Sequence, residues 1–211
     1  MTNTPDTALA RTAAELDEFL SRRSLRESSG PADSLRVTLR PLTPDDQDEY
    51  VELVRASKDL LHPWMSLPST PEEFQAYLER FDHLTSQGLA VALRDGGAMA
   101  GTIYINSIIR GRFQCASVAY AAFAPTAGQG YMSEGLSLAV RYAFEQLRLH
   151  RLEANIQPGN HASLKLVERQ GFRKEGYSPA MLFIDGEWRD HERWALTTNT
   201  PDKAHPSLPA R

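Results

Sequence analysis

The chain has 211 residues, 41% hydrophobic and 24% charged, with a formal net charge of −4. That suffices for one domain with its own core plus tails, and it lacks the basic excess of a nucleic-acid binder. No apolar run reaches membrane-spanning length, the acid-bearing N-terminus has no apolar signal core, and the single cysteine, Cys115, excludes an internal disulfide, so a cytoplasmic protein with no membrane partner is expected.

From Thr7 to Arg23 the spacing of Leu9, Ala13, Leu16, Phe19 and Leu20 predicts an amphipathic helix, followed by the polar linker SLRESSGPADS. Residues 1–34 therefore read as a helical or flexible extension, 35–197 as the domain, and 198–211, rich in Pro, Thr and Ser, as a flexible tail. The domain opens with a strand in which Leu35, Val37 and Leu39 alternate with Arg36, Thr38 and Arg40. Thr43-Pro44 and Thr70-Pro71 each start a helix, the second with a capping box at Glu73 and a stripe of Phe74, Tyr77, Leu78 and Phe81. The stretch KDLLHPWMSLPS between them reads as a loop, and Pro71 to Gln87 as a lid or wall.

LAVALRD and MAGTIYINSII flank Gly96-Gly97 as a hairpin, and GRFQCASVAYAAF is the next strand. A turn with Gly128 and Gly130 then hands over to a helix from Tyr131 to Leu149. LHRLEANIQ is a short buried strand, Asn160 caps the helix HASLKLVERQ, and Gly171 ends it. FRKEGYSPAMLFI and EWRDHERWALT pair across Asp185-Gly186. The strand–turn–helix–strand segment implies one parallel pair, and the hairpins imply antiparallel pairing elsewhere. The expectation is an α+β fold, a mixed sheet flanked by helices, with a cleft where the parallel pair splays. The glycine turn presents backbone N–H groups at a helix N-terminus, a site for phosphate.

The element order resembles that of the GNAT N-acetyltransferase superfamily, in particular its RimJ/RimL branch. The stretches that carry the resemblance are LRPLTPDD, HPWMSLPSTPEEFQAYLERF, AGQGYMSEGL, HRLEANIQPGNHASLKLVERQGFRKEGY and IDGEWRDH, spread from Leu35 to Thr197. The resemblance implies a GNAT-like sheet, acetyl-CoA as co-substrate with no metal, and direct acetyl transfer to a primary amine. It implies that Ala127, Gly128, Gln129, Gly130, Tyr131 and Met132 hold the pyrophosphate and that the strand end from Tyr120 to Ala122 carries the pantetheine arm through its backbone. Asn160 would contact that arm and Ser163 would serve the departing thiolate as proton donor. Two turn positions depart from the family pattern, Ala127 in place of Gln or Arg and Met132 in place of a small residue. Val167 stands where many members have a tyrosine.

For the base several readings stand. Glu134 either complements the helix N-terminus or faces the substrate cleft as a catalytic carboxylate; Glu153, Asp190 and His191 are further candidates, and an ordered water chain is another. Cys115 reads as a core residue, and the six histidines show no metal-ligand spacing. Acceptor contacts are expected from the loop His62 to Met65, above all Trp64, from Tyr104 and Asn106, and from Trp188 and Arg189 on the last hairpin. The acceptor reads as a protein N-terminal α-amine, for example on a ribosomal protein, or as a small-molecule amine such as an amino acid, antibiotic or aminoacyl-nucleotide. A non-catalytic acyl-CoA-binding module is the remaining reading, and the chain is expected to be a monomer or homodimer with no nucleic-acid partner.

Overall fold

The computed structural model describes residues 5–26, with side chains from 7 to 19, and residues 35–198. The polar linker over 27–34, the side chain of Leu20 in the expected stripe and the tail from 199 onward lie outside what is described. Seven strands form one sheet: β1 (Val37–Pro41), β2 (Gln87–Leu93), β3 (Met99–Ile109), β4 (Cys115–Ala122), β5 (Arg151–Ile156), β6 (Arg173–Ile184) and β7 (Glu187–Thr197), in the order β1-β2-β3-β4-β5-β7-β6. All pairs are antiparallel except β4 with β5. That parallel pair needs a crossover, and the helix α5 (Tyr131–Glu145) supplies it.

Two apolar layers cover the sheet. One is built from α1 (Pro5–Arg26), α5 and α6 (His161–Arg169), with Leu16, Phe19, Leu136, Tyr142 and Val167 buried against Val91, Ile103 and Ala154. The other is built from α2 (Gln47–Ala56), α3 (Lys58–Leu61) and α4 (Pro71–Leu78), where Tyr50, Leu61 and Phe74 surround Tyr104 and Phe123. Central strands are thus apolar on both faces; β3 from Met99 to Ile105 is buried without a break.

The N-terminal helix lies on the domain. Its buried stripe is Ala8, Thr12, Leu16 and Phe19, turned by one residue from the expected one, and Leu9 and Ala13 fall at its edge. Phe19 meets Tyr142 of α5 edge-on at 6.1 Å, and the Arg141 guanidinium covers its other side at 5.7 Å.

The segments at α3 and α4 differ from expectation. A turn of helix, α3, occupies part of the expected loop after α2. The helix read as running from Pro71 to Gln87 ends at Leu78. Its start is the expected capping box, with Glu73 N–H donating to Thr70 Oγ1 at 3.2 Å. Its end is fixed by Asp82, whose Oδ1 accepts the N–H groups of Leu84, Thr85 and Ser86 at 2.9, 2.7 and 3.0 Å. That cluster turns the chain into β2, where Gln87 is the first strand residue.

Helix α5 sits close to the sheet because glycines make room. A Cβ on Gly135 would lie 2.8 Å from the methyl groups of Val91, and one on Gly101 of β3 would collide with the Ala121 carbonyl and the Met132 sulfur. Both contacts hold the first turns of α5 down on β2 and β3.

Candidate active site

The parallel pair is short. Cys115, Ala116 and Ser117 pair with Arg151, Leu152 and Glu153, and no β4–β5 pair forms beyond them. From Val118 to Ala122, β4 continues beside β3 alone, and from Ala154 to Ile156, β5 continues beside β7 alone. The two strands therefore splay and leave one edge of β4 with unpaired main-chain groups, lined by the small residues Ala119, Ala121 and Ala122.

At the end of this edge a 3-10 turn (Ala124–Thr126) leads into Gly128 and Gly130, at φ +77° and +86°. Gly130 is the N-cap of α5 in the left-handed conformation, and its carbonyl accepts from Ser133 and Glu134 at 3.0 and 3.2 Å. The N–H groups of Gly128, Gln129, Gly130, Tyr131 and Met132 form no hydrogen bond among the described residues. A row of free donors at the N-terminus of a 15-residue helix is a cradle for an anion. Ala127 is the C-cap of the 3-10 turn, and the Met132 side chain points into the core over Gly101, so neither departure from the family pattern removes a backbone donor.

Arg36, at the start of β1, holds this turn. Its backbone N–H donates to Glu134 Oε2 and its Nε to Oε1, each at 2.8 Å; Nη2 donates to the Gln129 carbonyl at 2.9 Å, and the guanidinium lies 4.4 Å from the centre of the Tyr131 ring. Both oxygens of Glu134 are thus engaged by Arg36, and its charge is offset beside the anion cradle. Arg36 is the residue that sequence reasoning missed. At the far end of α6 the Gln170 amide donates to the Ser133 carbonyl and hydroxyl, each at 3.1 Å, tying α6 to the first turn of α5.

Across the splay, α6 presents its first turn to β4. Asn160 caps it, its Oδ1 accepting the Ser163 N–H at 3.1 Å. The Ser163 hydroxyl lies 2.6 Å from the Tyr120 hydroxyl, so a β4 side chain reaches the α6 residue expected at the reacting end. Burial pushes the Tyr120 phenol up to about 12, against a smaller opposing effect of the Ser163 hydrogen bond.

The loop after α3 and the β6–β7 hairpin, the segments expected to meet the acceptor, come together. The Gln157 amide donates to the carbonyls of Pro63 and Trp64 at 3.2 Å, and Trp64 lies over Gly159, where a Cβ would sit 3.1 Å from the indole edge. Trp64 is thus beside Asn160. Asp185, in the hairpin turn, accepts from Ser66 and lies 3.5 Å from His62 Nδ1, which links hairpin and loop. Trp188 stands at the exposed end of the hairpin, edge-on to Phe183 at 5.6 Å, and Arg189 pairs with Glu187 at 3.0 Å.

One expected contact lies elsewhere. Tyr104 is buried in the second apolar layer, its hydroxyl bonded to Thr102 at 2.8 Å and Tyr50 at 3.1 Å, so it does not face the cleft. Asn106 lies opposite Ser117, where the β4–β5 pairing ends, and its side-chain carbonyl oxygen accepts from Ser86 at 3.3 Å. Glu153 is paired with Arg151 at 2.7 Å. Asp190 pins the hairpin bulge by accepting the Ala180 N–H at 2.7 Å, and His191 is buried with Nδ1 2.9 Å from the Arg189 carbonyl. Among the described residues no group of His, Cys, Asp and Glu has a metal-site arrangement, and no helix is long and apolar enough to cross a membrane.

Comparison with known proteins gives a consistent result. Residues 36–173 match the family described as Acetyltransferase (GNAT) domain. The chain is 32% identical over 171 residues to the [Ribosomal protein uS5]-alanine N-acetyltransferase of Escherichia coli (strain K12), covering 77% of this chain and 88% of that protein. It is 29% identical over 168 residues to the Probable N-acetyltransferase YjcK of Bacillus subtilis (strain 168), covering 76% and 93%. Among solved structures, Mycobacterium smegmatis RimJ in complex with CoA-disulfide superposes with a TM-score of 0.71 at 25% identity, covering 76% of this chain and 81% of that one.

Proposed function

We propose that this chain, which belongs to the GNAT acetyltransferase family and is an N-acetyltransferase, acts on the α-amino group of a protein N-terminus, with a ribosomal protein as the fitting class. Acetyl-CoA supplies the acetyl group as a thioester. The free N–H groups from Gly128 to Met132 suit its pyrophosphate, and the open edge of β4 suits its pantetheine arm. Asn160 holds the first turn of α6 so that Ser163 faces the open edge. An α-amine titrates near ~8, so a neutral fraction is available as nucleophile at physiological pH.

The observation that carries the choice of acceptor is the hairpin. Tyr177, Phe183 and Trp188 are 49%, 61% and 64% exposed on the strand pair that borders the acceptor side, with Phe183 directly opposite Trp188. An apolar surface open to solvent suits a polypeptide lying across it, whereas a small amine calls for an enclosing pocket. The likeness to the uS5-alanine acetyltransferase supports the same class. The test is mass spectrometry of a lysate incubated with the enzyme and isotope-labelled acetyl-CoA. Label on protein N-termini is expected. Label confined to metabolites would move the acceptor to a small-molecule amine, and acetyl-CoA binding without any transfer would favour a non-catalytic module.

A further inference from the structure

Tyr120 belongs to the splayed part of β4, and Ser163 belongs to the first turn of α6 on the other side of the opening. Their hydroxyl oxygens are 2.6 Å apart. The Tyr120 hydroxyl also lies 3.3 Å from the Ser163 main-chain carbonyl, which can only accept. A phenol is the stronger donor of the two hydroxyls, and its single hydrogen goes to the nearer acceptor, Ser163 Oγ at 2.6 Å, ahead of the carbonyl at 3.3 Å. The Tyr120 hydrogen therefore points at Ser163 Oγ, which accepts this bond and does not spend its own hydrogen on Tyr120. The Ser163 hydrogen is left to point elsewhere, and the open side is the edge of β4.

We propose that Tyr120 is a positioning residue for acetyl transfer, acting through Ser163: by donating to Ser163 Oγ it turns the serine hydrogen toward the sulfur that departs. The inference rests on the reading of Ser163 as the group that serves this sulfur. In the transfer the amine nitrogen forms a bond to the acetyl carbon, the carbon–sulfur bond breaks, the electron pair stays on sulfur, and the amine's proton leaves to solvent. The Ser163 O–H meets the charge that builds on sulfur, and the Tyr120 O–H polarises that hydroxyl from behind. Neither side chain changes its net charge over the cycle. Burial keeps the phenol protonated across the physiological range, so the donor is always present. The arrangement also gives a use to a tyrosine on β4 in a chain that carries Val167 further along α6, where the family resemblance leads one to look for a tyrosine.

The experiment is a double-mutant cycle on thiol release with any amine that serves as acceptor, with active sites counted by calorimetric titration with CoA. Tyr120→Phe keeps the ring and removes one oxygen. It is expected to lower kcat about 10-fold, with CoA affinity within twofold of wild type, and Ser163→Ala is expected to lower kcat at least as much. The double variant is expected to be no slower than Ser163→Ala, because Tyr120 acts through the serine. A wild-type kcat in Tyr120→Phe beside a slowed Ser163→Ala overturns the inference alone. Losses that multiply in the double variant also overturn it, since Tyr120 would then act independently. A wild-type kcat in Ser163→Ala overturns both the inference and the reading of Ser163 beneath it.

Discussion

Arg36 closes on both carboxylate oxygens of Glu134, its backbone N–H on Oε2 and its Nε on Oε1, each at 2.8 Å. The pair joins the first strand to the first turn of α5 and cancels a negative charge next to the anion cradle. Arg36→Ala uncovers that carboxylate and is expected to raise the KM for acetyl-CoA about 5-fold, the equivalent of ~1 kcal/mol for a partly exposed pair. Adding Glu134→Gln is expected to recover most of the loss. Glu134→Gln alone is expected to leave kcat within twofold of wild type; a large fall in kcat would return Glu134 to the role of base.

Gly130 holds φ at +86°, and a Cβ there would lie 3.2 Å from Arg36 Nη2. Gly130→Ala is expected to cost about 1–2 kcal/mol of stability from backbone strain and to weaken CoA binding about 10-fold by disturbing the turn. Calorimetry and thermal unfolding check the two effects separately. Gly130→Asp is expected to bind more weakly still, because it adds a negative charge beside phosphate.

Gly101→Ala places a methyl group against the Ala121 carbonyl and the Met132 sulfur together. Destabilisation of roughly 1–3 kcal/mol is expected from overpacking. Met132→Ala in the same chain is not expected to restore the loss, since the main-chain carbonyl of Ala121 cannot withdraw. Full rescue would mean that the side chain alone sets the limit.

His83 and His191 are both pulled below the ordinary imidazole value, chiefly by burial. The unfolded chain, with ordinary imidazoles near ~6.5, then binds protons that the folded chain refuses. Stability is expected to be level from about pH 8 to 7 and to decline as pH falls through about 6.5. A second decline belongs to Asp82 and Asp190, whose carboxyls lie below their ordinary range; their contribution is present above about pH 4 and lost as pH drops further. His83 has φ +58°, which asparagine tolerates, so His83→Asn is expected to fold and to flatten part of the first decline in a series of thermal midpoints.

How much could be read from the chain depended on the distance between partners. The Thr70 capping box, the Asp185-Gly186 turn and the Asn160 cap over Ser163 span three residues or fewer, and each forms as local chemistry dictates. Arg36 and Glu134 are 98 residues apart, and nothing local marks either as the other's partner. Tyr104 illustrates a different limit. Strand alternation assigns it a face, but β3 is covered on both faces, so its face does not tell cleft from core. The stripe on α1 was legible as a stripe, while its one-residue rotation is set by how α1 meets β1 and α5. The end of α4 was lost because Asp82 collects three main-chain donors, a turn that helix periodicity does not report.

The close seating of α5 on Gly101 and Gly135 has a consequence for how variants of this enzyme will sort. The donors that face the cofactor sit on the rim of a helix whose height is set from below, by the close approaches of Gly135 to Val91 and of Met132 to Gly101. Substitutions at these interior positions touch no ligand, yet they tilt the rim. In a screen at limiting acetyl-CoA they would register as cofactor-affinity variants, and at saturating acetyl-CoA much of their defect would vanish.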